Sequence, residues 1–246
     1  MSWTAETLHA VTFYPPMAET PDALQPWLKA FGTSPQSLQT SSAGSPPMST
    51  AGGVVGDFNI EIIAQIGRIE IVLRSSEQNQ IHPPSIGNIT LAAQVLKEYS
   101  KKIFSPYANV LRVAVVGNLI QFFENKDSSK PTELFIYNTK IQNIPTASSD
   151  LQFGLNISRQ LGNNNVKFNR LCRWATTVGN LVEFKMNTGS NNPTMNVVLI
   201  PTINWMIDVN SDASASIDSS IIEDLFDSSF NEFIAIFEGG YEYLIA

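Results

Sequence analysis

The stretch Asp57-Phe58-Asn59-Ile60-Glu61-Ile62-Ile63-Ala64-Gln65-Ile66-Gly67-Arg68-Ile69-Glu70-Ile71-Val72-Leu73-Arg74 decides the fold class. Before Gly67, Phe58, Ile60 and Ile62 alternate with Asp57, Asn59 and Glu61; after it, Ile69, Ile71 and Leu73 alternate with Arg68, Glu70, Val72 and Arg74. Apolar residues at every second position turn one face of an extended chain toward a core and the other toward solvent or a partner. Two such runs joined at Gln65-Ile66-Gly67-Arg68 predict a β-hairpin. Ile63-Ala64 interrupts the alternation and admits a bulge.

Toward the N-terminus, Val11-Thr12-Phe13-Tyr14 reads as a short strand stopped by Pro15-Pro16, since proline has no N–H for a ladder. Thr20 and Pro21 open a helix through Phe31, with Thr20 as N-cap, Pro21 in the first helical position and Gly32 as the stop. Residues 33–53 are rich in Pro, Gly, Ser and Thr and have little apolar periodicity, which predicts a long loop or flexible arm.

Toward the C-terminus, Ser85 to Phe104 carries a helical stripe of Ile89, Ala92, Ala93, Leu96, Tyr99 and Ile103. Asn109 to Phe123 reads as a buried strand that Gly117 could kink, and Leu134 to Ile141 fits a short helix and a strand equally. Strands follow over Leu151–Leu161, Cys172–Met186 and Asn196–Asn210, joined by linkers suited to tight turns, as in an antiparallel meander. A helix from Ser219 to Phe237 closes the chain, with Ser220-Ile221-Ile222-Glu223 as a capping box and Gly239-Gly240 as its stop. Ile222, Leu225, Phe226, Phe230, Phe233 and Phe237 form its apolar face; Glu223, Asp224, Asp227 and Glu232 form an acidic one. The expectation is a single α+β domain over 1–246: a mostly antiparallel sheet with an early hairpin, about three helices packed on it, and a C-terminal amphipathic helix. No internal repeat is legible.

Composition narrows the function classes. Charged residues make up 15%, against about 25% in an average domain, and the net charge is −7. A polyphosphate partner needs clustered cations, and the nearest approach to a cluster is Arg159, Lys167, Arg170 and Arg173, so no nucleic-acid partner is expected. The single cysteine, Cys172, permits no internal disulfide and reads as a buried thiol in a reducing compartment. With no signal-type N-terminus and no apolar run of membrane-spanning length, the chain reads as cytoplasmic, without a membrane partner.

No local motif carries a cofactor, a metal or a catalytic site. Asp208-Val209-Asn210-Ser211-Asp212 opens like a calcium loop, but Ala213 and Ser219 stand where such a loop needs glycine and glutamate. The two histidines, His9 and His82, have no ligand at zinc spacing, and no Gly-x-Ser-x-Gly elbow is present. Gly52-Gly53-Val54-Val55-Gly56 lacks the lysine of a phosphate loop and precedes a strand. Glu223, Asp224 and Asp227 fall on a solvated helix face, whereas general acid chemistry needs at least one buried carboxyl.

Two stretches carry a resemblance. Phe104-Ser105-Pro106-Tyr107-Ala108-Asn109-Val110-Leu111-Arg112-Val113, running through Gly117-Asn118, is one. Ile207-Asp208-Val209-Asn210, followed by the acidic-aromatic helix that ends Phe237-Glu238, is the other. Both resemble a sporadically distributed family of uncharacterised bacterial proteins of about this length. The resemblance implies an α+β fold and no reaction, and makes Asp208 and Asn210 ordinary strand-end residues.

Two functions fit these observations. The first is a non-catalytic interaction or assembly protein that meets a protein partner or a second copy of itself. The second is a protein, binding or enzymatic, that holds an anionic small molecule in a pocket on the sheet face, with Arg112, Arg159 and Arg173 as ligand-binding residues.

Overall fold

A computed structural model describes residues 3–16, 22–41, 47–77, 84–104, 109–123, 130–145, 148, 150–161, 166–186, 193–213 and 217–246, with backbone alone for 179–186 and 193–199. In chain order the elements are β1 (Thr4–Phe13), α1 (Leu24–Phe31), β2 (Ser37–Ser41), β3 (Met48–Val55), β4 (Phe58–Gln65), β5 (Arg68–Ser75) and α2 (Ile89–Phe104). Then come β6 (Arg112–Phe122), α3 (Lys130–Thr139), β7 (Gln152–Gln160), β8 (Lys167–Met186), β9 (Pro193–Ser211), a single 3-10 turn at Ser219–Ile221, and α4 (Ile222–Ile245). The fold is α+β, as the sequence predicts.

The opening hairpin is β4 and β5, paired without interruption from Phe58↔Ser75 to Gln65↔Arg68 around the two-residue turn Ile66-Gly67. No bulge forms at Ile63-Ala64. Ile62 and Ala64 face the core, and Ile63 sits half-buried on the other side of an unbroken pleat.

All nine strands join one antiparallel sheet in the order β2-β3-β4-β5-β1-β6-β9-β8-β7. The order gives the two halves a similar layout, with one strand more in the first. Each half runs strand, helix, strands, helix: β1-α1-β2-β3-β4-β5-α2, then β6-α3-β7-β8-β9-α4. The first strands of the halves, β1 and β6, pair antiparallel at the centre, flanked by the last strands, β5 and β9. This is an approximate two-fold arrangement, and α2 meets α4 across it.

The helices pack on one side of the sheet. Strand alternation sends Leu8, Ala10, Ile71, Leu73, Val113, Val115, Ile207 and Val209 to that side, all buried. Phe233 of α4 lies so close to β6 that a Cβ on Gly117 would stand 2.5 Å from its ring. Gly117 is therefore glycine for close packing, and β6 keeps regular pairing through it. On α1, Trp27 covers Gly53 in the same way. Aromatic pairs tie the core together: Trp174 stacks on Trp205 at 5.6 Å within the second half, and Phe104 of α2 stacks on Phe226 of α4 at 5.2 Å across the halves.

Several local expectations change. Residues 33–53 supply β2 and most of β3, because Ser, Thr and Gly suit an edge hairpin as well as a loop. The ambiguous segment is the fourth helix, α3. The first helix begins at Leu24 with Asp22 accepting from the Leu24 N–H, and Thr20 and Pro21 lie outside the described residues. Asp218 caps the 3-10 turn by accepting from the Ser220 N–H, and α4 follows from Ile222 without a side-chain cap, so the Ser220–Glu223 box does not form. Gly239-Gly240 does not end α4: Gly240 takes φ 60° and kinks the helix, and the last turn returns Leu244 to the core. Past Thr177 and Pro201, β8 and β9 pair only with each other among the described residues.

Candidate functional site

The period-two pattern that buries one side of the sheet leaves the other without a helix among the described residues. Two registered rows show its character. One reads Asn169, Asn210, Ala114, Val11, Glu70, Ile63 and Thr50; the next reads Leu171, Asp208, Val116, His9, Val72, Glu61 and Gly52. Ile63, Val116, Leu171 and Met206 are half-buried on this side, interleaved with polar groups. Among the described strand residues, Arg68, Arg74, Arg112, Lys167 and Arg173 stand there against Glu61, Glu70 and Asp208. This face is therefore slightly cationic on a chain of net charge −7.

Its centre is a connected network. Glu70 binds His9 Nδ1 through one oxygen and Arg68 through the other, both at 2.6 Å. His9 Nε2 meets Thr7 Oγ1 at 2.9 Å, and Asn118 Nδ2 donates to the same hydroxyl at 2.8 Å. The donors are consistent when His9 carries its proton on Nδ1: it donates to Glu70 and accepts from Thr7. Burial acts to raise the Glu70 pKa, but His9 and Arg68 more than offset it and hold the carboxyl below its usual range.

Hydroxyl, imidazole and carboxylate in this order match a nucleophile relay. Such a relay also needs donors aimed at a free position beside the nucleophile. Asn118 gives one of its two amide N–H groups to Thr7 Oγ1 itself, and no other side-chain group meets that hydroxyl among the described residues apart from His9. What the network does is fix the side chains of three central strands. Sequence reading missed it because Glu70 lies 61 residues from His9; the spacing of Thr7 and His9 on one face was the available signal.

At one end of the face, Phe13 lies between two guanidinium groups, Arg112 on β6 at 5.5 Å from the ring centroid and Arg68 on β5 at 5.7 Å. The Nε atoms of both arginines are buried and have no hydrogen-bond partner among the described residues.

The three arginines singled out from sequence are not brought together. Arg112 and Arg173 share the uncovered face, but Arg173 lies in the row of Asn118, six residues along β6 and two strands across, so roughly 20 Å separates them. Arg159, opposite Phe168 on β7, belongs to the helix side. Of the basic cluster, Arg170 is buried and bound to Glu232 at 3.1 Å, with Tyr243 donating to the second Glu232 oxygen. Glu232 thus leaves the acidic helix face, while Asp227 on that face is bound by Lys97 and Lys101.

The other candidates are quiet. Asp208 accepts from Asn210 Nδ2 at 2.8 Å within β9, and no cluster of three metal-ligating residues occurs among the described residues. Cys172 is buried, and burial pushes its thiol up to about 12. His82 lies outside the described residues. A cavity of about 320 Å³ lies between α2 and α4, lined by Ala93, Lys97, Phe230, Ile234 and Glu238 among others, away from the uncovered face. No described helix is long and apolar enough to cross a membrane. Comparison with family models, with curated proteins and with solved structures returns no match.

Proposed function

We propose that this protein is a non-catalytic interaction or assembly module whose working surface is the uncovered side of its sheet. The observation that carries this reading is the one-sided fold: among the described residues the helices lie on one face, and on the other half-buried Phe13, Val116, Leu171 and Met206 stand among buried Val11, Val72 and Ala114 and ordered polar side chains. Such a mixed surface matches recognition surfaces, which are only about as apolar as the rest of a protein and are given register by polar pairs. The partner is a protein, or a second copy of the chain.

The test is site-specific photo-crosslinking. A crosslinking residue at Val116, in the middle of the uncovered face, should capture the partner or a second copy in cells. The same residue at Leu91, exposed on α2, should not. Capture from Leu91 alone would sink the reading, and light scattering on the purified chain separates self-association from a foreign partner.

A second reading, a small anionic ligand on the sheet face, has the unpaired Arg112 in its favour. Of the three arginines, only Arg112 and Arg173 stand on that face, too far apart to grip one small molecule.

A further inference from the structure

Resting on the sheet face as the partner surface, we infer that Arg112, Phe13 and Arg68 form a docking site for carboxylates of an acidic polypeptide segment. No ion pair or hydrogen bond joins the Arg112 side chain to a described residue; its Nε is buried and its guanidinium is held against Phe13, so the two terminal nitrogens are the edge a ligand can meet. An arginine immobilised on an aromatic ring keeps its N–H edge free, and that edge matches a carboxylate with two parallel bonds. Arg68 is half-committed: one terminal nitrogen holds Glu70 and its Nε is buried, so it adds positive charge beside Arg112 rather than a second open fork.

The spacing selects the ligand. β5 and β6 flank β1, so the two arginines start about 10 Å apart with the phenyl ring between them. In an extended acidic segment, glutamates at alternate positions share one face about 7 Å apart, and their flexible side chains can reach both guanidinium groups. A phosphate backbone instead presents a charge about every 3.4 Å along each strand of a duplex and needs a row of free cations. Of the other described cations on this face, Arg74 is bound to Glu61 at 2.7 Å, Arg173 is far away, and Lys167 lies two strands from Arg112 with the acidic Asp212 at the end of the strand between. The net charge of −7 also opposes a polyphosphate at long range.

The experiment uses the full chain and a labelled Glu-Leu-Glu-Leu-Glu peptide, with the Gln-Leu counterpart as control, read by fluorescence anisotropy at low ionic strength. The glutamate peptide should bind, weaken with salt and outcompete the glutamine peptide. Arg112→Gln should weaken binding at least tenfold, Arg112→Lys less, since it keeps the charge and loses the fork, and Arg173→Gln should leave it unchanged. If Arg112→Gln fails to fold by circular dichroism, Arg112→Lys decides. Equal binding of the two peptides, no binding at all, or indifference to Arg112 overturns the proposal. Displacement of the peptide by inorganic phosphate or oligothymidylate at lower concentration overturns the carboxylate assignment. If the peptide fails while crosslinking from Val116 succeeds, the partner surface stands and this site falls. If the peptide binds and Val116 captures nothing, the surface reading falls.

Discussion

Removing one member of the Arg170–Glu232 pair should cost more stability than removing both. The two side chains are 3% and 6% exposed and 3.1 Å apart, joining β8 to α4. At an effective dielectric of about 20, unit charges at that separation attract by about 5 kcal/mol, and the desolvation of two buried ions offsets most of it. Glu232→Leu removes the attraction and leaves the cost of a buried guanidinium, eased only by the 3.3 Å bond from Arg170 Nε to the Ile157 carbonyl. The expected loss is about 3–5 kcal/mol, a large share of the roughly 5–15 kcal/mol available to a native protein. For a chain of this size that lowers Tm by roughly 6–20 °C. Arg170→Met alone should cost a similar amount, because it strands the Glu232 carboxylate with only Tyr243 as donor. The double variant Arg170→Met, Glu232→Leu should return to within about 1–2 kcal/mol of wild type, or exceed it. Urea denaturation followed by circular dichroism, run as a double-mutant cycle, measures all four states. Additive single costs, or a Glu232→Leu loss below about 1 kcal/mol, would refute the buried-pair reasoning.

Gly117→Val should destabilise by about 1–3 kcal/mol through overpacking against Phe233, and Phe233→Leu in the same chain should recover part of the loss; thermal melts of both decide it. Glu70 and Asp227 have pKa values held low in the folded state: burial raises each, and His9 with Arg68, or Lys101 with Lys97, pull it lower still. A depressed folded pKa gives stability that is present above the unfolded carboxylate range and lost as pH falls through the folded value. Melting temperature should therefore fall on acidification below about pH 4.5, less steeply in Glu70→Gln; a flat profile down to pH 3 would contradict the assignment. Cys172, with its thiol pushed up to about 12, should stay inert to a disulfide reagent at neutral pH and react only in denaturant.

Much of this fold is legible along the chain. The hairpin at 57–74, the helices at 85–104 and 219–237 and the late strands all announce themselves because their apolar residues recur with the period of the element that buries them. Part of the candidate face is legible too: the polar half of the hairpin alternation is the uncovered side. Where the reading stopped short, local pattern underdetermines the outcome. Ser, Thr and Gly at 33–53 suit a loop until β4 offers them a ladder, and β2 and β3 form by pairing rather than by propensity.

The sequence by itself determined the class of the protein, its acidic balance and which residues are apolar at which period, since these depend on composition and on neighbours a few positions away. Only the tertiary structure decided that β1 lies between β5 and β6, which makes the two halves related and sets Phe13 between Arg68 and Arg112. It also decided that Arg170 is a buried partner of Glu232 and that no carboxylate of the described residues pairs with Arg112. These facts depend on contacts between residues tens of positions apart, which folding brings together and no local spacing records.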